Sequence, residues 1–206
     1  MLTRLKQKIQ SMLATEARIA HGIGLTPNRI TALGALLAFS SAFVYAEWQA
    51  NRLLLLLATV LLLLSGFCDA LDGVVARLYE QATMFGGFLD SLLDRYADAV
   101  VYVGIGFGGL CNFYWGLAAA IIGSLLVSYS RARAEAAGLK MESIGLAERA
   151  ERVLILAIAS LVAIFWQPTN VMNAAIILLA ILTNLTVLQR SLYVYGKSKK
   201  KVLSGN

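Results

Sequence analysis

Long apolar runs, interrupted at short polar intervals, organise this chain. "LLLLLATVLLLLSGF", from Leu53 to Phe67, has no polar face at all. A helix on the surface of a soluble protein keeps one side polar, and a run of about 20 apolar residues matches the hydrocarbon thickness of a bilayer. The pattern predicts six such helices, at roughly 28–47, 52–76, 85–110, 113–135, 151–166 and 170–193. The runs are continuous rather than alternating, which argues against a β-barrel. Ahead of them, Leu2, Leu5, Ile9 and Leu13 recur every three or four residues, with Arg4, Lys6 and Lys8 between. That pattern predicts a helix lying on the membrane surface. The fold class expected is an all-α integral membrane protein with six transmembrane helices and an N-terminal interfacial amphipathic helix. Its parts would be a surface helix over residues 1–22, a six-span domain over 23–195 and a basic, disordered cytoplasmic tail over 196–206.

Composition agrees. Of 206 residues, 59% are hydrophobic and 15% charged, and the mean hydropathy is +0.71. With the N-terminus in the cytoplasm, only Arg52 of the 18 lysines and arginines falls near an outer connection. The positive-inside rule therefore places both termini, the 77–84 turn and the 136–150 loop in the cytoplasm of a multi-pass cell-membrane protein. The net charge of +6 suits anionic lipid and phosphate rather than nucleic acid. Cys68 and Cys111 lack metal-like spacing, and His21 reads as a surface residue. The basic start has no long apolar run, so it is not read as a signal peptide.

One stretch departs from the greasy pattern. "DALDGVVARLYEQATMFGGFLDSLLDR", Asp69 to Arg95, carries five acids and two arginines in 27 residues. Asp69 and Asp72 share a face near the end of the second span. Asp90 and Asp94 share a face near the start of the third. A short turn between the spans would make them antiparallel neighbours and bring four carboxylates together. Unpaired, these would repel one another. Arg77 and Arg95 cannot balance four close aspartates, so a structural salt-bridge cluster is a poor account. Hard divalent cations solve the problem: carboxylates suit Mg²⁺ or Mn²⁺, and four suffice for two ions. Gly73 would let a ligand approach the backbone, Ala76 would keep that face shallow, and Arg77 could grip a phosphate. Gly86 and Gly87 would allow close helix packing.

These residues resemble the CDP-alcohol phosphotransferase signature, D-x2-D-G-x2-A-R-x8-G-x3-D-x3-D. Asp69, Asp72, Gly73, Ala76, Arg77, Gly86, Asp90 and Asp94 fill it without a gap. The resemblance implies a metal-dependent enzyme in which a hydroxyl attacks a CDP-linked lipid and CMP leaves. It implies metal binding by Asp69, Asp72, Asp90 and Asp94, with Asp94 also the general base. It places the CDP-lipid against Gly73, Arg77, Thr83 and the "NRIT" stretch, Asn28, Arg29, Ile30 and Thr31, and it implies a homodimer.

Three later stretches, "SYSRARAEAAGL", "LAERAERVLIL" and "VLQR", put arginines at cytoplasmic helix ends. Arg133 and Arg149 read as ordinary membrane anchors. The stretches resemble the branch making phosphatidylinositol phosphate in actinobacteria and its archaeal counterpart making archaetidylinositol phosphate. The resemblance implies inositol 1-phosphate as acceptor, its phosphate held by Arg131, Arg152 and Arg190. The first of these is usually lysine in the bacterial enzymes, and "ERAER" has alanine where they often have proline, which favours an archaeal or more distant member. The donor would be CDP-archaeol or CDP-diacylglycerol. A rival keeps the chemistry with glycerol 3-phosphate as acceptor. A third reading is a divalent-cation transporter, since intramembrane acids also mark ion paths.

Overall fold

The computed structural model describes residues 13–141 and 144–203, with side chains through Lys199. Among the described residues the chain is all-helical, without strands. Its helices are α1 (Ala14–Gly22), α2 (Pro27–Ala46), α3 (Leu53–Leu78), α4 (Met84–Phe107), α5 (Tyr114–Ala136), α6 (Arg149–Phe165) and α7 (Pro168–Leu203), with a 3-10 turn at Trp48–Ala50. The ends are written locally. Thr26 is extended, and Pro27 opens α2 where a missing N–H costs nothing. Thr83 caps α4 by accepting from Gly86 N at 2.9 Å. At the end of α3, Glu80 takes a positive φ of 54° while Gln81 N returns to Ala76 O at 2.9 Å.

The six apolar helices expected from the pattern coincide with α2–α7. Four of them, α2, α3, α5 and α7, are long and apolar enough to cross a membrane. In α4 the acids lower the apolar content, and α6 has only 17 residues. The expected surface helix falls mostly on residues 1–12, so Leu2, Leu5 and Ile9 lie outside the described residues. The tail expected to be disordered continues α7 as far as Leu203. Lysine is a good helix former, and Gly196 alone does not break a helix already nucleated upstream.

The chain divides into two compact units, the first ending at Gly108 and the second beginning at Gly109. In the first, α2 packs along both α3 and α4, while α3 and α4 make at most marginal contact with each other. The two neighbours thus meet through side chains near the turn, and α2 is the packing partner they share. Small residues permit its close approach. A Cβ on Gly34 would sit 3.0 Å from Cys68 Cβ on α3, and one on Gly104 of α4 would collide with the Ala42 carbonyl. Beneath the acids, α1 buries Ala17 and Ala20 against Ile30, Cys68, Leu71, Val74 and Val75. His21, expected at the surface, stacks on Tyr79 with ring centroids 3.6 Å apart. In the second unit, α7 packs against both α5 and α6. Gly123 brings α5 onto Thr183 of α7, where a Cβ would meet the threonine hydroxyl.

Candidate active site

The acids of α3 and α4 converge. Asp69, Asp72 and Asp90 each offer a carboxylate oxygen, all within 4.8 Å of one another. Asp94, half-buried one turn further along α4, is outside that group of three. Asp72 is only 5% exposed, and Thr31 donates its hydroxyl to Asp72 Oδ2 at 2.6 Å. That bond crosses from α2 to α3 and fixes the carboxylate's orientation. Arg95 turns back onto its own helix, to the Ser91 carbonyl. Three hard oxygen donors held this close fit a divalent cation, which would remove their mutual repulsion.

A cavity of about 200 Å³ adjoins the acids, walled by Asp72 and Asp90. Asn28, Thr31, Gly73, Arg77 and Thr83 also line it. Arg29 and Ile30 do not: Arg29 donates to Gly24 O at 3.2 Å, and Ile30 is buried in the apolar core. A helix shows only part of any four-residue stretch to one side, so "NRIT" contributes its first and last members. Gly86 stands close against two polar side chains here: a Cβ would sit 2.8 Å from Asn28 Oδ1 and 2.9 Å from Thr83 Oγ1, so one or both would have to shift. A Cβ on Gly87 would meet nothing within 4 Å among the described residues, contrary to the close packing expected there. Gly73 does accept a close neighbour, but it is Arg77, whose guanidinium nitrogens would lie 3.4 Å from an added Cβ.

In the second unit three arginines gather from three helices. The charges of Arg131 on α5 and Arg152 on α6 both act on Arg190 of α7, together with those of Glu135 and Glu148. Arg131 pairs with Glu135 at 2.9 Å and is partly exposed. Arg152 and Arg190 are 3% and 1% exposed. Arg190 donates to Ile144 O at 2.7 Å and to Val127 O, and lies 3.5 Å from a Glu148 oxygen. Arg152 donates to Ala147 O at 2.9 Å. Arg133 and Arg190 both line a cavity of about 820 Å³ between α5 and α7, which Arg131 and Arg152 do not line.

Sequence reasoning passed over several of these residues. Gln81 lines the smaller cavity, its Oε1 buried without a hydrogen-bond partner among the described residues. Its position in a polar turn carried no signal. Glu135 and Glu148 were legible only as charges flanking the arginines.

Comparison with known proteins now bears on this arrangement. Residues 24–187 match the CDP-alcohol phosphatidyltransferase family. The chain belongs to that family. Among its relatives, the archaetidylinositol phosphate synthase of Methanothermobacter thermautotrophicus is 44% identical over 181 residues, covering 88% of this chain and 89% of the relative. That of Pyrococcus horikoshii is 38% identical over 201 residues, covering 97% and 98%. Among solved structures, a Mycobacterium tuberculosis phosphatidylinositol phosphate synthase with CDP-DAG bound has a TM-score of 0.76 at 28% identity, covering 90% of this chain and 94% of that one. The same synthase in complex with manganese and citrate has a TM-score of 0.75, also at 28% identity, covering 89% and 88%. The family match spans both units, so it includes the acids and the first two of the three arginines.

Proposed function

We propose that this protein transfers a phospho-lipid group from a CDP-lipid to inositol 1-phosphate, giving an inositol-phosphate lipid and CMP. The observation that carries the reading is the acid triad converging beside a cavity that two of its members, Asp72 and Asp90, line together with Asn28, Thr31, Gly73, Arg77 and Thr83. The archaeal synthases it resembles at 38–44% identity favour CDP-archaeol as the donor.

The reading assigns one substrate to each unit. In the first, Arg77 pairs with the diphosphate of the CDP-lipid while the cavity takes the nucleotide. Asp69, Asp72, Asp90 and Asp94 would hold two divalent ions, Mg²⁺ or Mn²⁺, and Thr31 would keep Asp72 aligned. Bound there, the ions would offset the acids' charge and polarise the phosphorus under attack. Asp94 accepts the proton from the acceptor's hydroxyl as that oxygen bonds to the lipid-bearing phosphorus. The bond from this phosphorus to the CMP oxygen breaks, and CMP departs. In the second unit, Arg131, Arg152 and Arg190 hold the acceptor's phosphate. Arginine's planar fork suits that task.

The setting belongs to the same proposal. Helices α2–α7 all cross the membrane, with the site on the cytoplasmic side and residues 1–22 forming a helix at that surface. Residues 23–195 make the catalytic domain, residues 196–206 a basic cytoplasmic extension, and the enzyme works as a homodimer. The test is incorporation of labelled inositol 1-phosphate into lipid by purified protein supplied with CDP-archaeol or CDP-diacylglycerol and Mg²⁺ or Mn²⁺. Label in the lipid phase, with equal CMP release, is expected. No incorporation with either donor under either metal would overturn the reading.

A further inference from the structure

The loop that leads into α6 is gripped from three sides. Thr186 of α7 accepts hydrogen bonds from Leu146 N at 3.0 Å and Ala147 N at 3.1 Å, and donates to Leu182 O at 2.8 Å. One hydroxyl thus fills all its hydrogen-bonding capacity, two bonds of it on the loop. Gly145, beside it, has a φ of 129°, and a Cβ there would collide with the Thr186 methyl. The same loop offers Ile144 O to Arg190, Ala147 O to Arg152 and the Glu148 carboxylate to Arg190. Its backbone is therefore the mould in which two guanidinium groups are set, and Thr186 is what seats the mould on α7.

We infer that Thr186 is a positioning residue for the acceptor site, acting through the 144–148 loop to aim Arg152 and Arg190 at the acceptor's phosphate. This rests on the proposed function above. Thr186→Val keeps the shape and removes the hydroxyl, leaving two loop N–H groups without their acceptor. Thr186→Ser keeps the hydroxyl. Gly145→Ala disturbs the same seat from the loop's side, with the hydroxyl intact.

Steady-state kinetics of the full-length protein, with CDP-lipid and inositol 1-phosphate varied in turn, decides the matter. Thr186→Val is expected to raise KM for inositol 1-phosphate by roughly ten-fold, the scale of one or two lost hydrogen bonds, with KM for CDP-lipid unchanged. Thr186→Ser should restore the native value, and Gly145→Ala should reproduce the acceptor-only defect. If Thr186→Val does not accumulate as folded protein, Gly145→Ala carries the same test. An unchanged acceptor KM in Thr186→Val, or in Gly145→Ala where that variant carries the test, overturns the inference while leaving the proposed function intact. So does a joint rise in both KM values, which is what a merely structural residue would produce. A native protein active on glycerol 3-phosphate but not on inositol 1-phosphate would overturn the acceptor assignment instead. The Thr186 comparison would then be decided on glycerol 3-phosphate by the same criteria.

Discussion

Asp94 stands one helical turn beyond Asp90, close to the three converging carboxylates but not among them. That separation suits a base rather than a pure ligand and gives a sharp expectation. Asp94→Asn should lose about 10²–10⁴-fold in turnover while CDP-lipid binding persists, because three carboxylates still stand together. Asp72→Asn should weaken metal and nucleotide binding together, measurable by metal titration with CDP-lipid present. Near-native turnover in Asp94→Asn would remove its assignment. Thr31 is subtler. Its hydroxyl lies 2.6 Å from Asp72 Oδ2, so Thr31→Val should weaken metal affinity by about 10–100-fold, and Thr31→Ser should recover it. The sequence marked Thr31 only through a family resemblance, as a nucleotide contact; its bond to Asp72 pairs residues 41 apart on two helices, which no local pattern reveals. The aspartates were legible because charge in an apolar chain has to be explained. Gln81 was not, because a glutamine in a turn is ordinary.

At the scale of elements, hydrophobic continuity was enough to find α2–α6, and the start of α7, within a few residues. It could not reveal which helix packs on which. The short turn between α3 and α4 brings their acids together as expected, but nothing in the pattern showed that α2 is the packing partner of both, with small residues at the approach. Gly104 shows the cost of disturbing it. Gly104→Val should destabilise the protein by about 1–3 kcal/mol or more, because the backbone of Ala42 stands in the way and cannot swing aside as a flexible side chain could. Thermal unfolding in detergent checks this, and an unchanged midpoint would show that α2 and α4 are less closely apposed. At Gly87, where an added Cβ meets nothing within 4 Å, Gly87→Ala should be tolerated. The lysine-rich end of α7 was misread because polarity was taken for disorder. Polarity rules out burial, not helix formation.

At the scale of the whole molecule, charge asymmetry predicts the orientation. Both native cysteines are buried, so an introduced thiol can be read against a low background. A cysteine replacing Gln167, exposed just ahead of α7, should react with an impermeant reagent added outside intact cells. One replacing Ser198, exposed near the other end, should not. The reverse pattern would turn the protein over in the membrane. The central claim, that an inositol-phosphate lipid is made here, is tested most directly by an acceptor panel. Purified protein with CDP-lipid and divalent metal is offered inositol 1-phosphate, glycerol 3-phosphate and free inositol, and CMP release gives kcat/KM for each. The account predicts that inositol 1-phosphate leads. Free inositol should fall about ten- to a hundred-fold or more behind, because it lacks the phosphate that the arginines are proposed to hold. Glycerol 3-phosphate in the lead, or CMP release that does not depend on a phosphorylated acceptor, would contradict it.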